Sequence, residues 1–348
     1  MGCACENNRP EPQIEIQKKP QELNQKILKS AINIQSHIRG YLLRKKLYNQ
    51  YLDLIQNLQP NNSINESNSK ILLYEVDNEN LENINSSSRE EEITNQDMSY
   101  LFSNYPPLKD GVKVLLKPSQ LCENGTIYSG EWDEEGNRHG RGVQIYPDGS
   151  KYYGYWIKNA VNKKGKLVHK EGDVYEGEWV NEKAEGFGVY ISVNGTKYEG
   201  GWVADRQEGK GKEEWADGNV YIGEYYAGTK QGRGKFLWSD GSRYEGEFYN
   251  NNIEGKGIYI WPDNRQYDGE WKNNRMDGNG EFKWPDGRIY KGQYKNDKKE
   301  GYGIFIWPSG RKYKGYWKEG KQNGEGEIYN PENNKWCKYM FKNGEKIS

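Results

Sequence analysis

Long apolar runs are missing from this 348-residue chain: no stretch approaches 18 consecutive apolar residues, the length a membrane-spanning helix requires. The N-terminus lacks the apolar core of a secretory signal, so the chain is expected to face the cytosol. Sequons such as Asn61-Asn62-Ser63, Asn124-Gly125-Thr126 and Asn194-Gly195-Thr196 are then expected to stay unmodified. Cysteine is scarce: Cys3, Cys5, Cys122 and Cys337 are too few and too scattered for a disulfide framework. His37, His139 and His169 are the only histidines, and no Cys/His ligand spacing accompanies them, so neither a metal nor a cofactor is expected. Aliphatic residues are short as well. With tyrosine set aside and glycine counted, the apolar share is about 37%, below the usual 45–50%, which excludes a large aliphatic core. An excess of either charge is also absent, since 50 Lys and Arg face 51 Asp and Glu, and nothing biases the whole chain toward nucleic acid.

Glycine and rings fill that gap. There are 42 glycines, and Trp and Tyr supply 40 of the 47 aromatic residues, so the buried groups are mostly rings with a polar handle. They recur with a period. Aromatic-x-Gly-x-aromatic begins at Tyr128-Gly130-Trp132 and returns from Tyr152, Tyr175, Tyr198, Tyr221, Tyr244, Tyr267, Tyr290 and Tyr313, with a worn copy at Trp336-Lys338-Met340. The steps are 23 residues, except for 24 between Tyr128 and Tyr152, where the segment from Asp133 to His139 carries one extra residue. A Gly-x-Gly pair keeps the same register from Gly186-x-Gly188 to Gly324-x-Gly326, and Lys163 replaces its first glycine in the second copy. Each pair is read as opening a second strand. Asp-Gly or Asn-Gly follows at Asp148, Asn194, Asp217, Asp240 and Asp286, predicting two-residue hairpin turns with positive φ at both central positions. Asn264 and Asn333 are read as standing in for the turn glycine, and Lys170-Glu171-Gly172 as an atypical turn, so the second copy is expected to be the least regular.

Residues two apart on a strand share a face, so Tyr175, Gly177 and Trp179 point one way while Glu176 and Glu178 point the other. A glycine leaves room for a ring to lie across the neighbouring strand, which lets a single sheet bury aromatic surface. One unit is too small to fold alone, and stacking supplies the core. The unit Tyr-x-Gly-x-Trp, Gly-x-Gly, Asp-Gly resembles the MORN repeat family over nine in-register copies. That resemblance implies a mainly β fold: an elongated single-layer antiparallel sheet of tandem hairpins over residues 111–348, on the order of 90 Å long at roughly 4.8 Å per strand. Val112 to Leu116 with the Asn124-Gly125 turn, and Trp336 to Phe341, are expected to cap its edges.

Upstream, residues 59–110 read as an acidic Asn/Ser-rich linker, with Ser86-Ser87-Ser88 and Glu90-Glu91-Glu92. Residues 22–58 hold no Pro or terminating Gly. Their apolar residues, including Ile27, Ala31, Ile34, Ile38, Leu42 and Tyr48, fall at the spacing of a long amphipathic helix. Within it, Ile34, Gln35, Arg39, Gly40 and Arg44 match the IQ motif, whose family binds calmodulin or related EF-hand proteins. Ile34, Ile38 and Leu42 would meet a Met-rich groove, while Arg39 and Arg44 would meet an acidic partner. A basic helix packing on the sheet or lying on a membrane is the plainer alternative. Residues 1–21 read as a flexible tail. Gly2 fits myristoylation and Cys3 and Cys5 fit palmitoylation, although Glu6 stands where the myristoylation pattern prefers Ser or Thr. Two incidental cysteines in a tail are the alternative.

No catalytic constellation is found. Gly223 to Lys230 resembles a phosphate loop, but its Thr229 and Lys230 are in the wrong order and it sits in a hairpin. The chain is expected to end at Ser348 without room for a catalytic domain. Together these readings point to a non-enzymatic, membrane-tethered scaffold or adaptor at the cytoplasmic face of a membrane, at the cell cortex or cilium. Its partners would be calmodulin or a related EF-hand protein, cytoskeletal or membrane-associated proteins and the membrane surface through the acyl anchor, with no nucleic acid. Self-association through the array stays open. The alternatives are a structural component of an axonemal, radial-spoke-like or cortical cytoskeletal assembly, as the MORN resemblance implies, and a regulatory subunit of a lipid kinase or methyltransferase.

Overall fold

The computed structural model describes Phe102, residues 105–122 and residues 124–348. The proposed acylation residues, Gly2, Cys3 and Cys5, lie outside the described residues. So do the IQ residues Ile34, Gln35, Ile38, Arg39, Gly40, Leu42 and Arg44, the helix proposed over 22–58 and most of the linker.

The chain divides into two compact units at Asp205. In the first, β1 (Val114–Leu121), β2 (Ile127–Asp133), β3 (Arg138–Ile145), β4 (Lys151–Ile157), β5 (Ala160–Val168), β6 (Val174–Val180), β7 (Lys183–Ile191) and β8 (Lys197–Val203) form an antiparallel sheet. Each strand pairs with the next in the chain. In the second unit, β9 (Arg206–Glu214) to β13 (Asn252–Ile260) run through β10 (Val220–Tyr226), β11 (Thr229–Leu237) and β12 (Arg243–Tyr249). The same meander continues as β14 (Gln266–Lys272), β15 (Arg275–Lys283), β16 (Ile289–Lys295), β17 (Lys298–Ile306), β18 (Lys312–Lys318), β19 (Lys321–Asn330) and β20 (Lys335–Lys342). The two-residue β21 (Glu345–Lys346) lies on the outer edge of β20.

Tyrosine and glycine set the packing of both units. Gly177 faces Gly188 across the β6–β7 ladder, and the Tyr175 ring lies over the pair. A Cβ added to Gly177 would come within 2.6 Å of both Tyr175 Oη and Gly188 Cα, so no larger residue fits. The hydroxyl then donates to the carbonyl of Glu178 at 3.0 Å, and Tyr128, Tyr198, Tyr221, Tyr244, Tyr267, Tyr290 and Tyr313 make the same bond three residues ahead. From Trp156 onward, each Trp of the motif is wedged between two such tyrosines, whereas Trp132 meets Tyr128 alone among them. In the first unit Tyr152–Trp156, Tyr152–Trp179, Tyr175–Trp179 and Tyr175–Trp202 are edge-to-face at 4.9–5.5 Å. Such pairs contribute about 1 kcal/mol each beyond the area they bury.

The Gly-x-Gly pair sits inside its strand rather than at the start: β7 begins at Lys183, and the register shifts where Gly186 is reached. The first glycine is a β-bulge residue with positive φ, 66° at Gly186 and 64° at Gly232, Gly255 and Gly301. Lys163 takes the same place with a φ of 58°, so the second copy keeps the register of the others and carries the strain in its backbone.

The turn chemistry also differs from expectation. At Asp148-Gly149 only the glycine has positive φ, and Gly149 N donates to Tyr146 O while Tyr146 N donates to Ser150 O. This is a three-residue loop, a type I turn closed by a left-handed residue. Pro147, Pro262 and Pro285 precede the Asp-x pair and Pro308 precedes Ser309-Gly310, and proline locks φ near −65°, which suits a type I turn and excludes the mirror-image one. Asn264, with φ 65°, does replace the turn glycine. In the β19–β20 hairpin the left-handed residue is Asn334, not Asn333.

Turns with both central residues at positive φ occur at the opposite hairpin ends, among them Asn181-Glu182, Asn250-Asn251 and Asn273-Asn274. The β2–β3 connection alone uses Glu134-Glu135-Gly136, a three-residue loop with Gly136 at φ 85°, which accounts for the 24-residue step.

A left-handed conformation costs an ordinary residue roughly 1–2 kcal/mol, and glycine gives back part of that in chain entropy. Lys163→Gly is therefore expected to stabilise the first unit by about 0.5–1 kcal/mol, read as a raised midpoint in chemical denaturation. An unchanged or lowered midpoint would contradict the strain argument.

Candidate functional site

Three positions of the repeat bring polar chemistry onto the sheet: the residue just after each tight turn, the turn residues themselves, and the start of the first unit. Val161, Ala184, Gln207, Lys230, Ile253, Met276 and Lys299 recur 23 residues apart just after the tight turns, and all are buried. At Lys230 this places an ammonium among rings, with Nζ 4.7 Å from the Trp215 centroid, 4.9 Å from Tyr221 and 5.2 Å from Tyr225. Nζ also donates to Glu213 Oε2 at 2.6 Å, and Tyr225 Oη donates to the same oxygen at 2.9 Å. Burial lowers the Lys230 pKa, and the Glu213 charge opposes that shift. Lys299 repeats the arrangement, with Nζ 4.8 Å from the Trp317 centroid and 5.0 Å from Phe305. Aromatic boxes of this kind hold cationic ligands in other proteins, but here the chain's own lysines occupy them. The phosphate-loop lookalike ends in the same buried Lys230, which is committed to Glu213.

The turn residues tie each hairpin to the one before it. Asn251 Oδ1 accepts from Lys230 N at 2.8 Å, Asn274 Oδ1 from Ile253 N at 2.7 Å and Asp297 Oδ1 from Met276 N at 2.8 Å. In return, Glu208, Glu254 and Glu300 accept from the turn amides of Ala227, Asn273 and Glu319 at 2.8–2.9 Å. Asp297 differs from its Asn counterparts in one respect. Its Oδ2 is buried without a partner, and burial raises its pKa.

At the start of the first unit, the last part of the expected linker packs on the face opposite the rings. Phe102 is buried against Val143, with Tyr105 and Tyr153 beside them. Tyr155 Oη donates to Pro106 O at 2.6 Å, and His139 Nε2 lies 2.8 Å from Asp110 Oδ2. The hydrogen bond to His139 holds the Asp110 carboxyl below its ordinary range. His139, in β3, and His169, just after β5, are both buried. No signal in the linker's composition marked Phe102-x-x-Tyr105-Pro106 as structured, although its rings and proline stand apart from the polar run before them.

Among the described residues no group of three or more His, Cys, Asp or Glu stands close enough to hold a metal ion. The ladder hydroxyls are pushed upward by burial, Tyr313 to about 12 and Tyr175 and Tyr244 further, so they remain neutral donors.

Two outcomes test these groups. Removing one member of the Lys230–Glu213 pair strands the other in the core, so Lys230→Met or Glu213→Gln alone is expected to cost roughly 3–5 kcal/mol in chemical denaturation, whereas Lys230→Met with Glu213→Leu should restore stability to within about 1 kcal/mol. The raised Asp297 pKa means the folded state binds the proton more tightly, so stability falls as pH rises from the ordinary carboxylate pKa through the folded one. Asp297→Asn, the residue found at 251 and 274, should raise the thermal midpoint at neutral pH, with the gain vanishing as the pH is lowered to that of an unfolded aspartate.

Comparison with known proteins agrees with this geometry. The MORN repeat model matches residues 128–151, 175–197, 198–220, 221–243, 244–264, 267–287, 290–310 and 313–335. It passes over 152–174, the copy that carries Lys163. The IQ calmodulin-binding motif matches residues 28–48, which include Ile34, Gln35, Ile38, Arg39, Gly40, Leu42 and Arg44. No curated protein matches the chain. Similar solved structures include the TCP10 domain of Danio rerio CPAP, 11% identical over 58% of this chain and 94% of that one, with a TM-score of 0.34. Another is the SAS-4 TCP domain of Drosophila melanogaster in complex with a proline-rich motif of Ana2, 14% identical over 55% of this chain and 96% of that one, with a TM-score of 0.27. At these scores neither likeness carries an argument. Eight matched copies cover just over half of the chain, and their glycine-supported ring ladders are those described above: the chain belongs to the MORN repeat family.

Proposed function

We propose that this chain is a non-enzymatic, membrane-tethered adaptor, in which a MORN array presents a rigid surface to cytoskeletal or membrane-associated proteins and an IQ helix recruits calmodulin or a related EF-hand protein. MORN repeats beside an IQ motif fit a scaffold or adaptor with calmodulin binding. The observation that carries the reading is the IQ match over residues 28–48, outside an array whose own rings and buried cations are engaged with one another. On the helix, Ile34, Ile38 and Leu42 would enter the partner's apolar groove, and Arg39 and Arg44 would meet its carboxylates. Gly2, Cys3 and Cys5 would supply two or three acyl chains, enough for stable anchoring where a single myristoyl chain is marginal.

Full-length protein used as bait, with and without calcium, is expected to capture calmodulin or a related EF-hand protein. Ile34→Asp combined with Arg39→Glu should weaken that capture at least tenfold while leaving the array's thermal midpoint unchanged. Undiminished capture by the double variant would reduce the segment to a basic helix of other purpose. Separately, Cys3→Ser with Cys5→Ser should release the protein from the membrane fraction of cells, and an identical distribution would remove the tether from this reading.

A further inference from the structure

Three consecutive loops of the second unit carry an arginine stacked on a tryptophan. Arg265, Arg288 and Arg311 each follow the left-handed residue of their loop. Their guanidinium carbons lie 5.5 Å from the Trp261 centroid, 5.2 Å from Trp284 and 5.1 Å from Trp307. In the first two loops an aspartate two residues earlier pairs with the arginine. Arg265 Nε donates to Asp263 Oδ2 and Arg288 Nε to Asp286 Oδ2, both at 2.7 Å, while each Oδ1 accepts from the arginine backbone N at 3.1 Å. The third loop has the same backbone, with Gly310 N donating to Trp307 O and Trp307 N to Arg311 O, both at 2.9 Å, but Ser309 stands where the acid belongs. Ser309 Oγ accepts from Arg311 N at 3.4 Å, and among the described residues the Arg311 guanidinium has neither an acid nor a hydrogen-bond partner. Ser309 also breaks a run, because Asp217, Asp240, Asp263 and Asp286 fill its position in the four loops before it. A planar cation is thus held on a ring without the carboxylate that its two neighbours face.

We propose that Ser309 is a phosphorylation site, and that its phosphate takes the aspartate's role and pairs with Arg311. The guanidinium fork matches a phosphate bidentately, and the stack on Trp307 holds it ready beside the hydroxyl. Pro308, Ser309 and Arg311 are exposed at the loop, so the hydroxyl is reached without opening the β17–β18 ladder. Arg311 and Lys312 follow at the second and third places, and kinases select substrates by such charge patterns. In the transfer, Ser309 Oγ bonds to the γ-phosphorus of a nucleoside triphosphate carried by a protein kinase, and the bond from that phosphorus to the bridging oxygen breaks. The nucleoside diphosphate leaves, and the hydroxyl proton passes to the kinase's base. A phosphoserine carries a charge of roughly −1.5 to −2 at pH 7, so the loop changes from a bare cation to a net anion. This inference does not depend on the calmodulin or membrane reading.

Two measurements on the full-length protein test this. The first isolates it from its own cells after a serine-phosphatase inhibitor has been given, and digests it with trypsin. The peptide from Glu300 to Arg311 holds no serine or threonine besides Ser309, and it is expected to carry one phosphate, placed on Ser309 by fragmentation in the mass spectrometer. A peptide found only without phosphate, or with the phosphate on Tyr302, overturns the proposal. The second installs phosphoserine at position 309 during synthesis and follows the phosphate by phosphorus NMR as the pH is changed. Pairing with a guanidinium favours the doubly charged phosphate, so the midpoint of its second ionisation should come at least about 0.5 pH lower than in the same protein with Arg311→Gln. Equal midpoints would show that the phosphate does not meet Arg311, and would overturn the pairing. Should Arg311→Gln fail to fold, the peptide from the natural protein decides alone.

Discussion

The constraint beneath both units is the approach of two glycine backbones under a tyrosine ring. A sheet one layer thick has no second sheet to bury its rings against, so the ring must lie flat along its own sheet, over a strip that carries no side chain. Gly177 and Gly188 supply that strip for Tyr175, and the ring's hydroxyl closes on the Glu178 carbonyl instead of losing its partner in water. Once the tyrosine is fixed, the tryptophan has an edge-to-face slot on either side, and ring contacts run from one hairpin to the next. The low aliphatic content follows from this geometry. Rings on glycine replace the leucines and valines of a two-layer core.

Much of this was legible in the sequence, because period and composition are properties of a repeat that any single copy shares with its neighbours. The ring face, the hairpin order and the irregular step after Asp133 could be read from spacing alone. The turns could not be assigned from Asp-Gly by itself. Pro147 and its equivalents were the discriminating residues, since a fixed negative φ beside Asp148 rules out the mirror-image turn. The Asn-rich pairs that do take that turn, such as Asn250-Asn251, carry no glycine to advertise it. The bulge was hidden for a different reason. Its glycine looks like a space for a ring, when in Gly186 and its equivalents the demand comes from positive φ and from the Glu178 side chain lying where a Cβ would be.

The polar chemistry was the least legible part. Lys230 and Glu213 are 17 residues apart, in strands of different hairpins, and only the folded register shows that they share one buried hydrogen bond. The bare Arg311 was masked by a balanced total charge, because its meaning lies in which turn residue stands beside it. Composition averages over that information.

The amide-to-side-chain bonds between hairpins run both ways, about twenty residues forward to Asn251 and Asn274 and about as far back to Glu208 and Glu254. Lys230 receives its backbone partner from Asn251, and Ile253 from Asn274, so a hairpin is finished only when its successor is present. On the ribosome, where the chain emerges from its N-terminus, each hairpin would therefore wait, half-secured, for roughly one more repeat to leave the exit tunnel.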